Sequence, residues 1–330
     1  MKRHLLAVLA AAAALSLAAC ASPGAGASPA ESEPTASEQP GGFPRVIEVP
    51  AGASGAASEL RLEAAPESIA ALDYESAEVV AALGLADRLV LVPEAVTNPA
   101  LGGHLEEMAA VPHTIPVAME LDAETVIELQ PDLVIMSPRH GAETTIGSVL
   151  LSAGVPSLLL PESWTDIESV SVNVGLIGEA TGADDEAAAL QGELESGLSA
   201  DPGSSSSSSP RVLVLTNQAG RPFVTAGAAF PLELLELAGA RSASDDLGIE
   251  ITGPISVEQI VQADPDGILL IDMNGSGDRL FAEMLGNPAV AALPGAGSTL
   301  LVQGREVQAL GLTATVDGLA KLKEWVGGLG

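Results

Sequence analysis

Apolar residues fall along this chain in two kinds of run. Short continuous ones read as buried strands: Ser68–Leu72, Arg88–Val92, Leu133–Met136 and Ser157–Leu160, then Arg211–Leu215, Gly267–Ile271 and Thr299–Val302. Between them lie segments with helical spacing. Glu75–Leu83 stops at Gly84, Ala123–Leu129 runs up to Pro131, and Gly147–Ala153 stops at Gly154. Pro231–Ala238 closes on Gly239, Val257–Val261 is short, and Thr313–Val326 ends the chain. Strand and helix alternate, stop, and start again, which is the pattern of two α/β lobes, 45–164 and 211–330. Helical spacing at Ile167, Val170, Val174 and Ile177 predicts one long linking helix over 165–200. The Ser-rich segment 201–210 that follows reads as a solvated loop.

The restart is a repeat. Leu121–Asp132 (LDAETVIELQPD) matches Ile255–Asp266 (ISVEQIVQADPD) with an offset of 134 at Glu, Pro and Asp alike. Each copy leads straight into an apolar run. A looser match links Glu78–Gly84 with Glu233–Gly239.

The N-terminus has a different character. Met1–His4 is basic, and Leu5–Ala19 is an apolar run of 15 residues, too short to span a ~30 Å hydrocarbon core. It reads as a signal peptide over 1–19. Small residues precede Cys20, the only cysteine, so a disulfide within the chain is excluded. Residues 21–42 hold only small residues, Pro, Glu and Gln, and read with Cys20 as a tether, 20–44. No other apolar run approaches ~18 residues.

Composition narrows the partners. Of 330 residues 47% are hydrophobic and only 2% aromatic, so the core is built from Ala, Leu, Val and Ile. A charge of −31, from 44 acids and 13 bases, argues against nucleic acid and against adsorption to anionic lipid. Cleavage after Ala19 removes Lys2 and Arg3 and leaves −33. A Gly-rich phosphate loop followed by Lys and a G-x-S-x-G elbow are both missing, and no pair of acids stands out as acid and base, so the chain does not read as an enzyme.

Leu17-Ala18-Ala19-Cys20 resembles the lipobox of bacterial lipoproteins, which implies lipid on Cys20 and no other covalent group. In order and content, Ala65–Val92, Leu121–Met136, 166–198 and Arg211–Val326 resemble the substrate-binding lipoproteins of ABC importers for iron complexes and cobalamin. That resemblance implies two Rossmann-like lobes on a rigid linking helix, a ligand cleft between them, an extracytoplasmic place on the lipid anchor, and a permease dimer as partner. It also implies that Glu124 and Glu258, one on the first turn of each repeated helix, dock onto the permease. The C-terminal lobe most resembles haem-binding members at Arg211–Leu215, Pro222–Gly227, Leu293-Pro294-Gly295 and Leu310–Thr313. Where those members carry an iron-ligating tyrosine just ahead of the Leu121–Glu124 helix, this chain has Val117-Ala118-Met119-Glu120. A ferric siderophore therefore stands beside haem as the cargo, with cobalamin or a free metal as the alternative.

Loops after strands should line the cleft. The ligand-binding candidates are Tyr74, the sole tyrosine, then Arg139, His140 and Arg221. Tyr74 and His140 are also the candidate iron ligands. His104 and His113 lie in the Gly- and Pro-punctuated stretch before Leu121 without tight ligand spacing.

Overall fold

The two series of apolar runs become two sheets. The computed structural model describes residues 42–116, 122–139, 141, 143–199, 209–218 and 221–329. Signal segment, Cys20, nearly all of the tether and most of the Ser-rich loop lie outside the described residues, as do Val117–Glu120 and His140. The folded part includes Phe43, which is buried. β1 (Arg45–Val49) and β2 (Ser58–Leu62) form an antiparallel hairpin that alternating Arg-Val-Ile-Glu-Val specifies.

The N-terminal sheet is built from β3 (Ile69–Ala71), α1 (Tyr74–Ala82), β4 (Leu89–Pro93), α2 (Leu105–Ala110), β5 (His113–Ile115), α3 (Ala123–Glu128), β6 (Leu133–Met136), α4 (Glu143–Ser152) and β7 (Ser157–Leu159). Its strands are all parallel, in the order β5-β4-β3-β6-β7. The first strand is central and the chain winds outward both ways, the doubly wound arrangement.

The segment expected as a single helix is two: α5 (Ile167–Thr181) and α6 (Asp184–Gly197). Gly182 caps α5 in the left-handed region at φ 77°, and Asp184, Asp185 and Glu186 then open a new helix, where acids suit the N-terminal dipole. The two helices fold back on each other. A Cβ on Gly178 would stand 2.3 Å from Ala187 Cβ, and Gln191 Nε2 donates to the Ser171 carbonyl at 2.7 Å.

The C-terminal half holds β8 (Arg211–Gln218), β9 (Arg221–Val224), α7 (Phe230–Leu237), β10 (Arg241–Ser242), β11 (Gly253–Pro254), α8 (Val257–Ala263) and β12 (Gly267–Asp272). It continues with α9 (Ala282–Leu285), α10 (Pro288–Ala291), β13 (Thr299–Gln303), α11 (Gly304–Val307) and α12 (Ala314–Val326). The sheet runs β11-β9-β8-β12-β13, with β10 also beside β8. β8, β10, β12 and β13 are parallel; β9 runs against them, and β11, antiparallel to β9, runs with them.

Period-two alternation divides each sheet between two cores. Ala70, Val134 and Met136 pack outward under α3 and α4, and Leu213, Leu215, Ile268 and Leu270 outward under α8 and Phe281. The other faces, with Ile69, Leu133 and Ile135 in one sheet and Val212, Val214, Leu269 and Ile271 in the other, belong to one continuous core with α1, α5, α7 and α12. The lobes are thus fused through apolar packing, each fully buried Leu, Ile or Val contributing roughly 1.5–3 kcal/mol.

The repeat is structural. Positions 134 apart are equivalent in the outer cores: Val126 with Ile260, Val134 with Ile268, Met136 with Leu270. Gln130 and Asp264 both take positive φ, 48° and 40°, before their Pro-Asp pairs. Each Asp then clamps the start of the neighbouring central strand. Asp132 accepts from Ser68 N at 2.9 Å, and Asp266 from Arg211 N at 2.8 Å.

Candidate functional site

The lobes meet through the carboxyl ends of their strands. Beyond β4, Asn98 Nδ2 donates to the Met273 carbonyl after β12 at 3.2 Å, and Arg305 N after β13 donates to the Ala100 carbonyl at 2.9 Å. The seam packs closely at Gly304: a Cβ there would lie 2.6 Å from Leu101 Cδ2 and 2.9 Å from Met273 Sδ, so those side chains would have to shift. The carboxyl edges of the two sheets therefore face each other, the place where open α/β sheets bind ligands.

On the N-terminal edge the turn from β3 into α1 carries Asp73, Tyr74 and Glu75. Asp73 caps the helix: Oδ1 accepts from Ser76 N at 2.8 Å, and Oδ2 accepts from Ser137 N beyond β6 at 2.9 Å. This bridge draws the loop after β6 against the start of α1 and brings Arg139 over Tyr74, with the guanidinium carbon 5.1 Å from the ring centroid. Arg139 Nη2 also pairs with Glu75 Oε1 at 2.5 Å. Glu75 Oε2 is buried with no hydrogen-bond partner, as is Ser137 Oγ. Burial, and then the neighbouring Glu75 charge, pushes the Asp73 carboxyl above its usual range. Glu75, with Asp73, holds Arg139 above its ordinary value against the effect of burial.

Tyr74 is half-buried, and its hydroxyl makes no hydrogen bond among the described residues. It is the first residue of α1 rather than part of a loop. Of the sequence candidates, Tyr74 and Arg139 thus come together. His140 lies outside the described residues. Arg221 is on the other lobe, where no hydrogen bond or ion pair joins it to the Tyr74 cluster. His113 is exposed on β5. His104 caps a different pair: its Nδ1 sits 2.7 Å from Oε2 of Glu78, whose other oxygen accepts from Gly103 N at 3.1 Å. Among the described residues no group of three or more His, Cys, Asp or Glu is arranged to hold a metal ion, and no helix is long and apolar enough to cross a membrane.

The C-terminal edge differs. Asp272, buried at the end of β12, accepts from the backbone N–H groups of Asn274, Ser276 and Gly277 at 2.7–3.2 Å, which shapes the loop that follows. Arg279 lies on that loop, Arg305 just beyond β13 and Arg221 at the β8–β9 turn. Sequence reasoning missed Glu75, Arg279 and Arg305, although all three obey the rule that singled out Tyr74: each follows an apolar strand run. A cavity of about 520 Å³ opens elsewhere, between β1 and the α5–α6 pair, but Arg45, its one lining cation, is bound to Asp184 at 2.8 Å.

Glu124 and Glu258 are both exposed on the first turns of α3 and α8. Each helix is capped by a neighbour. Asp122 accepts from Glu124 N at 3.0 Å, and Ser256 accepts from Gln259 N at 3.2 Å. Neither glutamate side chain has an ion-pair partner among the described residues.

Comparison with known proteins adds three findings. A periplasmic heme-binding protein, RhuT from Roseiflexus sp. RS-1, in apo form, is 21% identical with a TM-score of 0.66, covering 80% of this chain and 98% of that one. A periplasmic heme-binding protein from Pseudomonas aeruginosa is 24% identical with a TM-score of 0.62, covering 78% and 91%. A periplasmic binding protein from Veillonella parvula is 20% identical with a TM-score of 0.67, covering 86% and 99%. At these identities they establish the two-lobed fold. No curated protein matches the chain. The periplasmic binding protein family model matches residues 69–299, most of both lobes and everything between them. This chain belongs to the periplasmic binding protein family, whose members capture solutes outside the cytoplasm and do not transform them.

Proposed function

We propose that this protein is the lipid-anchored receptor of an ABC importer, capturing an iron complex between its lobes and presenting it to a permease dimer. The observation that carries the transport reading is the equivalence of Glu124 and Glu258. Two exposed, unpaired carboxylates occupy the same position of the same repeated unit, one per lobe. Carboxylates fixed on fused lobes suit bidentate engagement of arginines on a two-fold partner. Both also favour their helix N-termini, worth only ~0.3–1 kcal/mol, which does not require exposure without a partner at both sites. Lipid on Cys20 would hold the receptor at the membrane despite its charge.

An iron complex is the cargo that the site's chemistry supports. Tyr74 offers a phenol free of competing hydrogen bonds beside a fixed guanidinium, and two of the structural relatives are heme-binding proteins. The missing tyrosine at Val117–Glu120 keeps a ferric siderophore as the second reading. Absorption titration with hemin and with a ferric trihydroxamate separates the two, and a Soret shift lost in Tyr74→Phe identifies the iron ligand. For the docking role, Glu124→Arg with Glu258→Arg is expected to abolish uptake while ligand affinity stays intact. Uptake at the normal rate would refute it.

A further inference from the structure

The arginines at the carboxyl edge of the C-terminal sheet form a pattern that their sequence positions hide. Among the described residues most bases carry a carboxylate. Arg45 has Asp184, Arg61 has Glu63, Arg139 has Glu75, Arg211 and Arg241 share Asp246, and Lys321 has Glu306. In a chain with 44 acids and 13 bases this is expected. Arg221, Arg279 and Arg305 are exceptions. Among the described residues Arg279 Nε reaches only the Ser276 carbonyl at 3.4 Å, Arg305 Nε only Gln303 Oε1 at 3.0 Å, and the Arg221 side chain has no partner.

All three stand at the same edge of neighbouring strands, Arg221 as the first residue of the antiparallel β9. Register pairs Ile271 with Thr216 and Asp272 with Gln303, so β12 and β13 finish level and β8 ends within one residue of them. Arg221 faces Gln218 across the hairpin at the end of β8, Arg279 follows β12, and Arg305 lies two residues past β13. Neighbouring strands are ~4.8 Å apart, so from β9 to β13 the three start from an edge about 14 Å wide. That edge faces the Tyr74 lobe, because the Arg305 backbone is bonded to Ala100. Two acids beside it are occupied: Asp272 by three backbone N–H groups, Glu306 by Lys321 and Gln303 N. Across the cleft the charge of Arg139 is spent on Glu75.

We propose that Arg221, Arg279 and Arg305 form an anion-receiving edge that binds the carboxylates of the transported iron chelate, while the metal faces the Tyr74 lobe. This rests on the iron-complex reading and adds to it a ligand class and an orientation. Unpaired guanidinium groups on a protein of this charge would otherwise be attracted to its own acids, and strand ends at one edge present them to a ligand together.

The test is equilibrium binding of hemin, hemin dimethyl ester, ferric citrate and an uncharged ferric trihydroxamate to the full-length protein and to Arg221→Ala, Arg279→Ala and Arg305→Ala. Expected is a loss of roughly three- to tenfold per substitution, and about a hundredfold for all three, with hemin or ferric citrate. The chelate that responds tells a porphyrin carboxylate from a citrate-like one. The ester should bind the wild-type protein more weakly than hemin, and affinity for the trihydroxamate should stay within about twofold in every variant. Hemin affinity unchanged in the triple variant, or equal affinity for hemin and its ester, overturns the proposal while the receptor reading stands. So does binding of the trihydroxamate alone. If no chelate binds, both fall.

Discussion

The two lobes share a scaffold and differ at the edge that matters. In each, an αL residue and a Pro-Asp pair join helix to strand, and the Asp clamps the central strand. That unit repeats because it answers a backbone problem common to both: ending a helix, turning tightly, and pinning a parallel strand. At the carboxyl edges the likeness stops. The N-terminal edge packs Asp73, Glu75 and Glu78 into buried positions, with Arg139 consumed by Glu75 and His104 by Glu78. The C-terminal edge leaves its arginines without carboxylates. Duplicated scaffolds can therefore keep their folding contacts while one edge becomes rigid and acidic and the other receptive to anions.

Removing the consumed charge should have the largest effect. Arg139→Ala leaves Glu75 buried with neither oxygen paired. Truncating one partner of a fully buried pair costs ~3–5 kcal/mol, and with the Arg139 side chain 31% exposed we expect about 2–3 kcal/mol. Arg221→Ala on the opposite edge should stay within ~0.5 kcal/mol. Urea denaturation measures both, and equal losses would erase the distinction between the edges. The shared core also predicts one cooperative transition rather than two.

A smaller difference is expected within the repeat itself. Asp132 accepts from Glu67 N, Ser68 N and Ser68 Oγ, whereas Asp266 accepts from Arg211 N alone, with Arg211 Nε 3.6 Å away. Asp132→Ala should cost about 2 kcal/mol and Asp266→Ala about 1 kcal/mol by the same denaturation. The reverse order would mean that strand pinning is not what the clamps contribute.

Much of this was legible in the chain because it is local. Apolar runs and their stops place β3, β4, β6, β7, β12 and β13, and α1, α3, α7, α8 and α12, within a residue or two, and the 134-residue offset marks positions that prove equivalent. The break at Gly182 was also written, as Gly followed by three acids, but apolar spacing continuing through Ile177 masks it. β9 and β11 escaped notice because strands of four and two residues have no apolar run long enough to read. The site was half legible. Tyr74 and Arg139 could be named separately, yet their contact depends on β3 and β6 being neighbours, which 64 residues of separation conceal. Likewise, Arg279 and Arg305 become a group with Arg221 only once β8, β12 and β13 end within one residue of each other.

The smallest effect separates the lobes by pH. All four histidines, His4, His104, His113 and His140, precede residue 141, so the C-terminal lobe has none. Of the two described histidines, His104 has a partner in place: its hydrogen bond to Glu78 raises its pKa above the ordinary value, burial opposes this, and Glu107 adds to it. In the unfolded chain His104 titrates near ~6.5. Because the folded value is higher, the stabilisation is complete below that pH and is lost as pH rises through the folded value. Glu78 also holds Gly103 N, so this pair steadies the loop whose Asn98 and Ala100 reach across to Met273 and Arg305. With the imidazole about a third exposed, the change between pH 6 and 8 should be about 0.5–1 kcal/mol at low salt, and smaller in high salt. His104→Gln should flatten that slope, while a variant confined to the opposite edge, Arg279→Ala, should leave it unchanged. A slope that survives His104→Gln would place the pH response elsewhere in the N-terminal lobe and remove the link between this pair and the seam.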